Sequence, residues 1–453
     1  MTRLQKILVL FSFVVAIIMI GAFWITEQSD RELTAAPIST NGLTIENWQT
    51  RNGARVLFVH APQLPMVDVR IVFDAGSARD NGKAGLASFT NGMLNYGAGE
   101  WDTNTLAERF DSIGAQYSNS AARDMAVLQL RSLTDASLLD TAVSTMTAIV
   151  NEPHFDKNEL ERLRKQALIS LKSQLQSPGT IADKAFYRTL YTEHPYAMPT
   201  GGEPETVTAI SREEILEFYK QYYVGRNAVV AIVGALDKAG ARDMAERLVG
   251  NLPKGKSAPA LPKVKGLQQA EVVQAAYPSS QTHILVGQPG MKRGDADYFD
   301  LYVGNHILGG GGFGSRIMKV IRDENGLAYS CYSYFLPMRE DGPFIMGLQT
   351  KNESRDQALE LLDKTLREFI EQGPTADELV HAKMNITGGF PLRIDSNKDI
   401  VEYIAMLGFY DLPLDYLNTF NSKVSAVTLE SIKDAFARRV EPGKLLTVTV
   451  GQQ

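Results

Sequence analysis

The chain repeats itself, and that bounds its fold more tightly than any single motif. The segment VTAIS at residues 207–211 returns as VSAVT at 424–428, and residues 229–234 (VVAIVG) return as 446–451 (LTVTVG). Both pairs are offset by 217 positions. NGML at 91–94 lines up with NHIL at 305–308, offset by 214. Separated elements that share one offset indicate duplication rather than coincidence, and two copies make a two-domain protein rather than a solenoid. A chain of 453 residues is also too long for one ordinary core. The joint is expected at residues 253–266 (PKGKSAPALPKVKG), a stretch rich in Pro, Lys and Gly. The expected organisation is a first domain over 43–252, this linker, and a second domain over 267–453.

Within the first copy the periodicities alternate between strand and helix. Asn52-Gly53 sits between strand-like runs at 43–50 and 55–60, a strong hairpin signal. Residues 66–73 set Val67, Val69, Ile71 and Phe73 against Asp68 and Arg70, which predicts a half-buried strand. Helices are expected over 85–96, 105–113, 135–150, 157–176, 212–223 and 238–248, the second opened by a Thr105/Glu108 capping box. Strands are expected over 115–121, 125–133 and 227–234. Runs of strands with helices between and after them predict α+β domains, each a mixed, largely antiparallel sheet packed against helices. No GxGxxG follows a first strand, and G-x-S-x-G, P-loop, CxxC and EF-hand spacings are missing as well.

Charge and terminus narrow the setting. A formal net charge of −6 gives no basic footprint, so nucleic acid is not the expected partner. Cys331 is the single cysteine, which excludes an intrachain disulfide. Arg3 and Lys6 precede an uncharged run over residues 7–25, nineteen residues ending near Trp24, about the length a membrane-spanning helix needs. The positive-inside rule then leaves residues 1–26 as an anchor in a bacterial inner membrane, 27–42 as a tether and the body in the periplasm. The competing reading is a cleaved signal peptide, which also exports the body; the run is longer than an ordinary signal core and no A-x-A-like site follows it.

One stretch carries chemistry: residues 309–330, GGGGFGSRIMKVIRDENGLAYS. Four glycines, Gly309, Gly310, Gly311 and Gly312, lead into Phe313 and Gly314. A helix is expected over 315–325, with Ile317, Met318, Val320 and Ile321 on its apolar side and Gly326 ending it. A strand follows over 327–332. Arg322 and Tyr329, seven residues apart, could converge at this corner, and both are donors able to hold a carbonyl oxygen. The plainer reading, which these residues alone favour, is an exposed arginine near Asp323 and Glu324 and a half-buried core tyrosine.

GGGGFGSR followed by IRDENGLAYS resembles the second-domain signature of the pitrilysin/insulysin-type zinc peptidases, including the mitochondrial-processing-peptidase branch, and the likeness runs through nearly all of the chain after residue 42. The resemblance implies two similar α+β domains. It also implies that Arg322 and Tyr329 bind substrate beside a zinc, with Gly309–Gly314 at the mouth of a chamber. Active members carry H-x-x-E-H on the first helix after a strand ending in Ala-Gly, two histidines at i and i+4 gripping one zinc. Here Ser88, Asn91 and Gly92 stand at those positions, and Ile169 and Ser170 stand where a later helix would supply the third ligand. No metal is therefore expected on this chain. The six histidines, His60, His154, His194, His283, His306 and His381, form no ligand pair in sequence.

The resemblance implies a complementing subunit of a heteromeric metallopeptidase. A homologous H-x-x-E-H-bearing partner would hold the zinc, peptide would be the substrate, and this chain would be inactive alone. The alternative from another class is a non-catalytic scaffold or chaperone-like membrane protein of the same fold. An independent metallopeptidase with an unfamiliar site is a third reading, and no ligand cluster in the sequence favours it.

Overall fold

The computed structural model describes residues 42–452. Their backbone builds two sheets. The first contains β1 (Glu46–Gln49), β2 (Arg55–His60), β3 (Met66–Phe73), β4 (Gln116–Ala121), β5 (Ala126–Leu133) and β6 (Ala228–Gly234), ordered β1-β2-β6-β3-β5-β4. The second contains β7 (Glu271–Ala276), β8 (Gln281–Met291), β9 (Ala328–Phe335), β10 (Gly342–Lys351) and β11 (Leu446–Gly451), ordered β7-β11-β8-β10-β9. Apart from β1, the two orders are the same. In each, the last strand of the copy inserts beside the first, parallel to it, and pairs antiparallel with the second. The duplication read from the sequence is thus a duplication of topology.

Helices of the first half are α1 (Leu86–Met93), α2 (Thr103–Asp111), α3 (Ala136–Asn151), α4 (Lys157–Gln174), α5 (Pro178–Tyr191), α6 (Pro204–Ala209), α7 (Arg212–Tyr222) and α8 (Lys238–Val249). Those of the second are α9 (Tyr298–Asn305), the single turn α10 (Arg316–Met318), α11 (Arg355–Gln372), α12 (Ala376–Gly389), α13 (Asn397–Phe409), α14 (Tyr416–Ala426) and α15 (Leu429–Arg439). One cap differs from expectation. The Asp102 carboxylate, not Thr105, caps α2, accepting from the Thr105 amide at 2.8 Å. An ionised acceptor at a helix N-terminus satisfies a free N–H and favours the helix dipole as well.

The halves exchange a helix. α5, from the first copy, lies on β8 and β11 of the second sheet, where Phe186 and Leu190 are buried with Ile345, Leu446, Val448 and Val450. Its repeat counterpart α13 lies on β2, β3 and β6 of the first sheet, burying Val401, Ile404 and Leu407 against Leu57, Val229 and Ala231. Contact there is close: a Cβ on Gly408 would stand 2.3 Å from Leu57 Cδ1. This exchange corrects the half-buried reading of β3. With α13 on its second face, six of its eight residues are buried, Asp68 among them, paired with Arg131 at 2.9 Å. Each aliphatic side chain fully buried this way stabilises the fold by about 1.5–3 kcal/mol.

Residues 253–267 have no regular structure, yet they are tied down. Ala258 N donates to Asn227 Oδ1 at 2.9 Å, Arg79 donates to the Pro259 carbonyl at 2.8 Å, and Leu261 is buried. A second tie between the halves is Asp124, in the turn before β5. Its carboxylate accepts from Tyr196 OH at 2.6 Å, Tyr410 OH at 2.9 Å and Arg339 N at 2.7 Å. The apolar run over 7–25, read above as an anchor, lies outside the described residues. Among the described residues no helix is long and apolar enough to cross a membrane.

Candidate functional site

α1 carries the positions where a zinc motif would stand. Its N-terminus is held by Asp80, whose buried carboxyl accepts from Gly85 N and Ala87 N, both at 2.8 Å. Burial outweighs these two donors and pushes the Asp80 carboxyl up to about 7. Along the helix, Ser88 donates its hydroxyl to the Thr200 carbonyl at 2.7 Å. Asn91 is buried, donates to Tyr223 OH at 3.3 Å, and accepts at its own carbonyl from Asn119 at 2.6 Å. Gly92 offers no side chain, and a Cβ there would touch only Leu163. On the neighbouring α4, Ile169 is 71% exposed and Ser170 is exposed beside it. The Ser88 hydroxyl and the Asn91 amide are already hydrogen-bonded, Gly92 and Ile169 offer no donor atom, and Ser170 brings only a neutral hydroxyl, so the set does not fit zinc. Among the described residues no three His, Cys, Asp or Glu side chains gather in a way that could hold a metal ion.

The corner in the second half has the opposite character, because its polar groups face outward. α9 runs on into a π-helix, His306–Gly310. Gly309 is required there, since a Cβ would lie 2.5 Å from the Ser333 amide nitrogen on β9. Gly312 has φ +64, a left-handed conformation, and its carbonyl accepts from the Ser315 hydroxyl at 2.8 Å. The expected helix over 315–325 starts as α10 and then widens into a π-helix, Lys319–Glu324, before Gly326 at φ +63 ends it. Ile317, Met318 and Ile321 face the core as expected, and Val320 is only half-buried. The wider turn moves Arg322 off the position that a continuous α-helix would give it, and π turns of this kind recur at functional sites.

Arg322 is brought to both aromatic residues of the stretch. Its guanidinium carbon lies 4.6 Å from the Phe313 ring centre and 5.5 Å from that of Tyr329. A carboxylate oxygen of Asp323 is 3.7 Å away. The rings hold the cation by its faces and leave the N–H rim directed sideways. Tyr329 is 85% exposed and Phe313 69%, so the core reading of the tyrosine is wrong. Arg322, half-buried, and the exposed rings of Tyr329 and Phe313 therefore form one cluster beside Gly310, Gly311, Gly312 and Gly314. Chemically it can donate hydrogen bonds to a carbonyl and stack on an apolar side chain. The role of Phe313 as the second wall of the guanidinium slot has no signal in sequence spacing. Neither do Arg293 and Arg393, which come from elements distant in sequence and line a cavity between α9 and β9 that Gly309, Gly310 and Gly312 also border.

Comparison with known proteins agrees with this layout. Residues 55–203 match a family model described as insulinase (peptidase family M16), and residues 209–386 match one described as peptidase M16 inactive domain. A crystal structure titled as a peptidase M16 inactive domain from Pseudomonas fluorescens is 36% identical, covers 91% of this chain and 99% of its own, and superposes with a TM-score of 0.88. An "uncharacterized zinc protease YmxG" of Bacillus subtilis is 24% identical over 78% of this chain and 85% of its own. A "non-peptidase homolog YmxG" of Helicobacter pylori is 25% identical over 89% of this chain and 94% of its own.

Proposed function

This chain belongs to the insulinase family of peptidases, family M16, and from that premise we propose that it is the zinc-less, complementing subunit of a heteromeric metallopeptidase. The observation that carries the reading is the contrast between two positions. The zinc positions hold Ser88, Asn91, Gly92, Ile169 and Ser170, which fit no metal, while half-buried Arg322 and exposed Tyr329 stand together beside the glycine stretch. In the proposal, a homologous partner bearing H-x-x-E-H supplies the zinc and the hydrolytic chemistry. Arg322 and Tyr329 of this chain hold the backbone of an extended peptide and donate to the carbonyl oxygen as negative charge develops on it. The Gly309–Gly314 segment lets the peptide approach main chain closely. The run over residues 7–25 tethers the pair to the membrane.

The test is purification of the tagged full-length chain from its host in mild detergent, with mass spectrometry and zinc analysis. A stoichiometric zinc-bearing partner with H-x-x-E-H, and peptide cleavage by the pair, is the expected result. In that pair Arg322→Ala or Tyr329→Phe should lower kcat/KM by about 10²–10³, the range for loss of one donor to an oxyanion, without impairing assembly. A partner-free, zinc-free protein would overturn the proposal in favour of a scaffold, a reading that the printed name of the Helicobacter relative also fits.

A further inference from the structure

We propose that the second half carries a carboxylate-binding site, built from Arg293 and Arg393 on a cavity of about 660 Å³, that takes the C-terminal residue of an extended peptide. The cavity lies between α9 and β9, in the place where the duplication puts the counterpart of the α1 zinc positions: Tyr302 and His306 stand at the offset of 214 from Ser88 and Gly92. Its size is in the range that holds small ligands. A smaller hollow of about 370 Å³ adjoins it, and Arg293, Tyr298, Tyr302 and Arg393 line both.

Two cations here lack an anion. Neither Arg293 nor Arg393 has a carboxylate within salt-bridge distance among the described residues, and the buried Nε of Arg293 has no hydrogen-bond partner at all. The nearest carboxylate in the lining, Glu402, is held by Arg70 at 3.1 Å. Arg393 donates to Tyr302 OH at 2.9 Å, which fixes its fork against a tyrosine stacked on Tyr298. A guanidinium that lines a cavity without an anion is matched by a planar carboxylate, which takes two parallel N–H donors. Met291, Met318, Phe335 and Leu336 give one part of the wall an apolar surface that suits a hydrophobic side chain next to that carboxylate, while Asn305, His306 and Ser333 make another part polar. β9, on the opposite wall, is the terminal strand of its sheet, and its Ser333 carbonyl already accepts from Asn305 at 3.0 Å. These features together select an apolar residue bearing a free α-carboxylate. The site uses neither Arg322 nor Tyr329, though Gly309, Gly310 and Gly312 border it, and it stands whether or not the chain has a zinc-bearing partner.

Calorimetric titration of the full-length chain with N-acetyl-Ala-Ala-Phe, with its C-terminal amide, and with N-acetyl-Ala-Glu-Phe amide tests this. The free acid should bind at least about tenfold more tightly than its amide, the discrimination expected of charge-assisted hydrogen bonds. Arg293→Gln and Arg393→Gln should each remove the preference with circular dichroism unchanged. Arg393→Lys, which keeps charge but loses the fork, should retain part of it and serves if the glutamine variants misfold. Equal binding of acid and amide, no binding, or a preference that persists in the double glutamine variant would overturn the site. A glutamyl amide that binds as tightly as the acid would overturn its assignment to a chain terminus.

Discussion

Replacing Phe186 by alanine should loosen the half of the protein to which Phe186 does not belong in sequence. Its ring is fully buried on α5, and its Cζ lies 2.9 Å from where a Cβ on Gly287 of β8 would stand, so it fills the space that this glycine opens. Its neighbours Ile345, Leu446 and Val448 sit on β10 and β11. Loss of a core phenylalanine costs about 3–5 kcal/mol, the lost transfer energy plus the cavity left behind. At 1.4 kcal/mol per decade this is a rise of about 10²–10³·⁵ in the open fraction of the elements it supports. Hydrogen exchange followed by mass spectrometry reads that fraction segment by segment. Amides of β8, β10 and β11 should exchange faster by about that factor at neutral pH. Retained protection there, with the loss confined to residues 43–252, would refute the view that the exchanged helix holds the second sheet together.

Three further outcomes follow from the same geometry. Because burial raises the Asp80 carboxyl from 3.8 to about 7, the folded state holds its proton more tightly than the unfolded chain; the stability this gives is complete below about pH 4 and is lost as pH rises through 7. Thermal midpoints should therefore decline as pH rises from about 4 to 7, and Asp80→Asn should flatten that slope; an unchanged slope would contradict it. Asp124→Ala strands two tyrosine hydroxyls and the Arg339 amide, each worth about 1–3 kcal/mol if left unsatisfied, so urea midpoints should drop sharply, whereas Asp124→Asn, which still accepts, should lose less. Phe313→Ala should free one face of the Arg322 guanidinium and weaken peptide binding by the pair, seen as a raised KM with kcat less affected, while a change confined to kcat would assign Phe313 a different role.

Much of this protein is legible in its residues because the signals are local. The Asn52-Gly53 turn marked β2, strand alternation gave β3 its limits, and a glycine marked the end of the helical run at Gly326. The repeat at one offset reported the shared sheet order, since a duplicated chain keeps its strand sequence. Loss of imidazole and carboxylate at Ser88, Asn91, Gly92 and Ser170 is a matter of residue type alone. The alternation in β3 misled only about its second face, because a polar Asp68 in a strand reads as solvent-facing unless its partner Arg131 is known.

What the tertiary structure decided is which surfaces meet. Nothing in the period of α5 or α13 says whose sheet each covers; an apolar helix face is satisfied by any complementary surface, and the close approach of Gly408 to Leu57 exists only once both halves are folded. The setting of Arg322 between Phe313 and Tyr329 depends on a π turn, which propensity does not encode, and the convergence of Arg293 with Arg393 joins residues a hundred positions apart. Sequence thus fixes the elements and the chemistry available to them, because those depend on near neighbours along the chain; long-range packing alone sets the distances at which that chemistry acts.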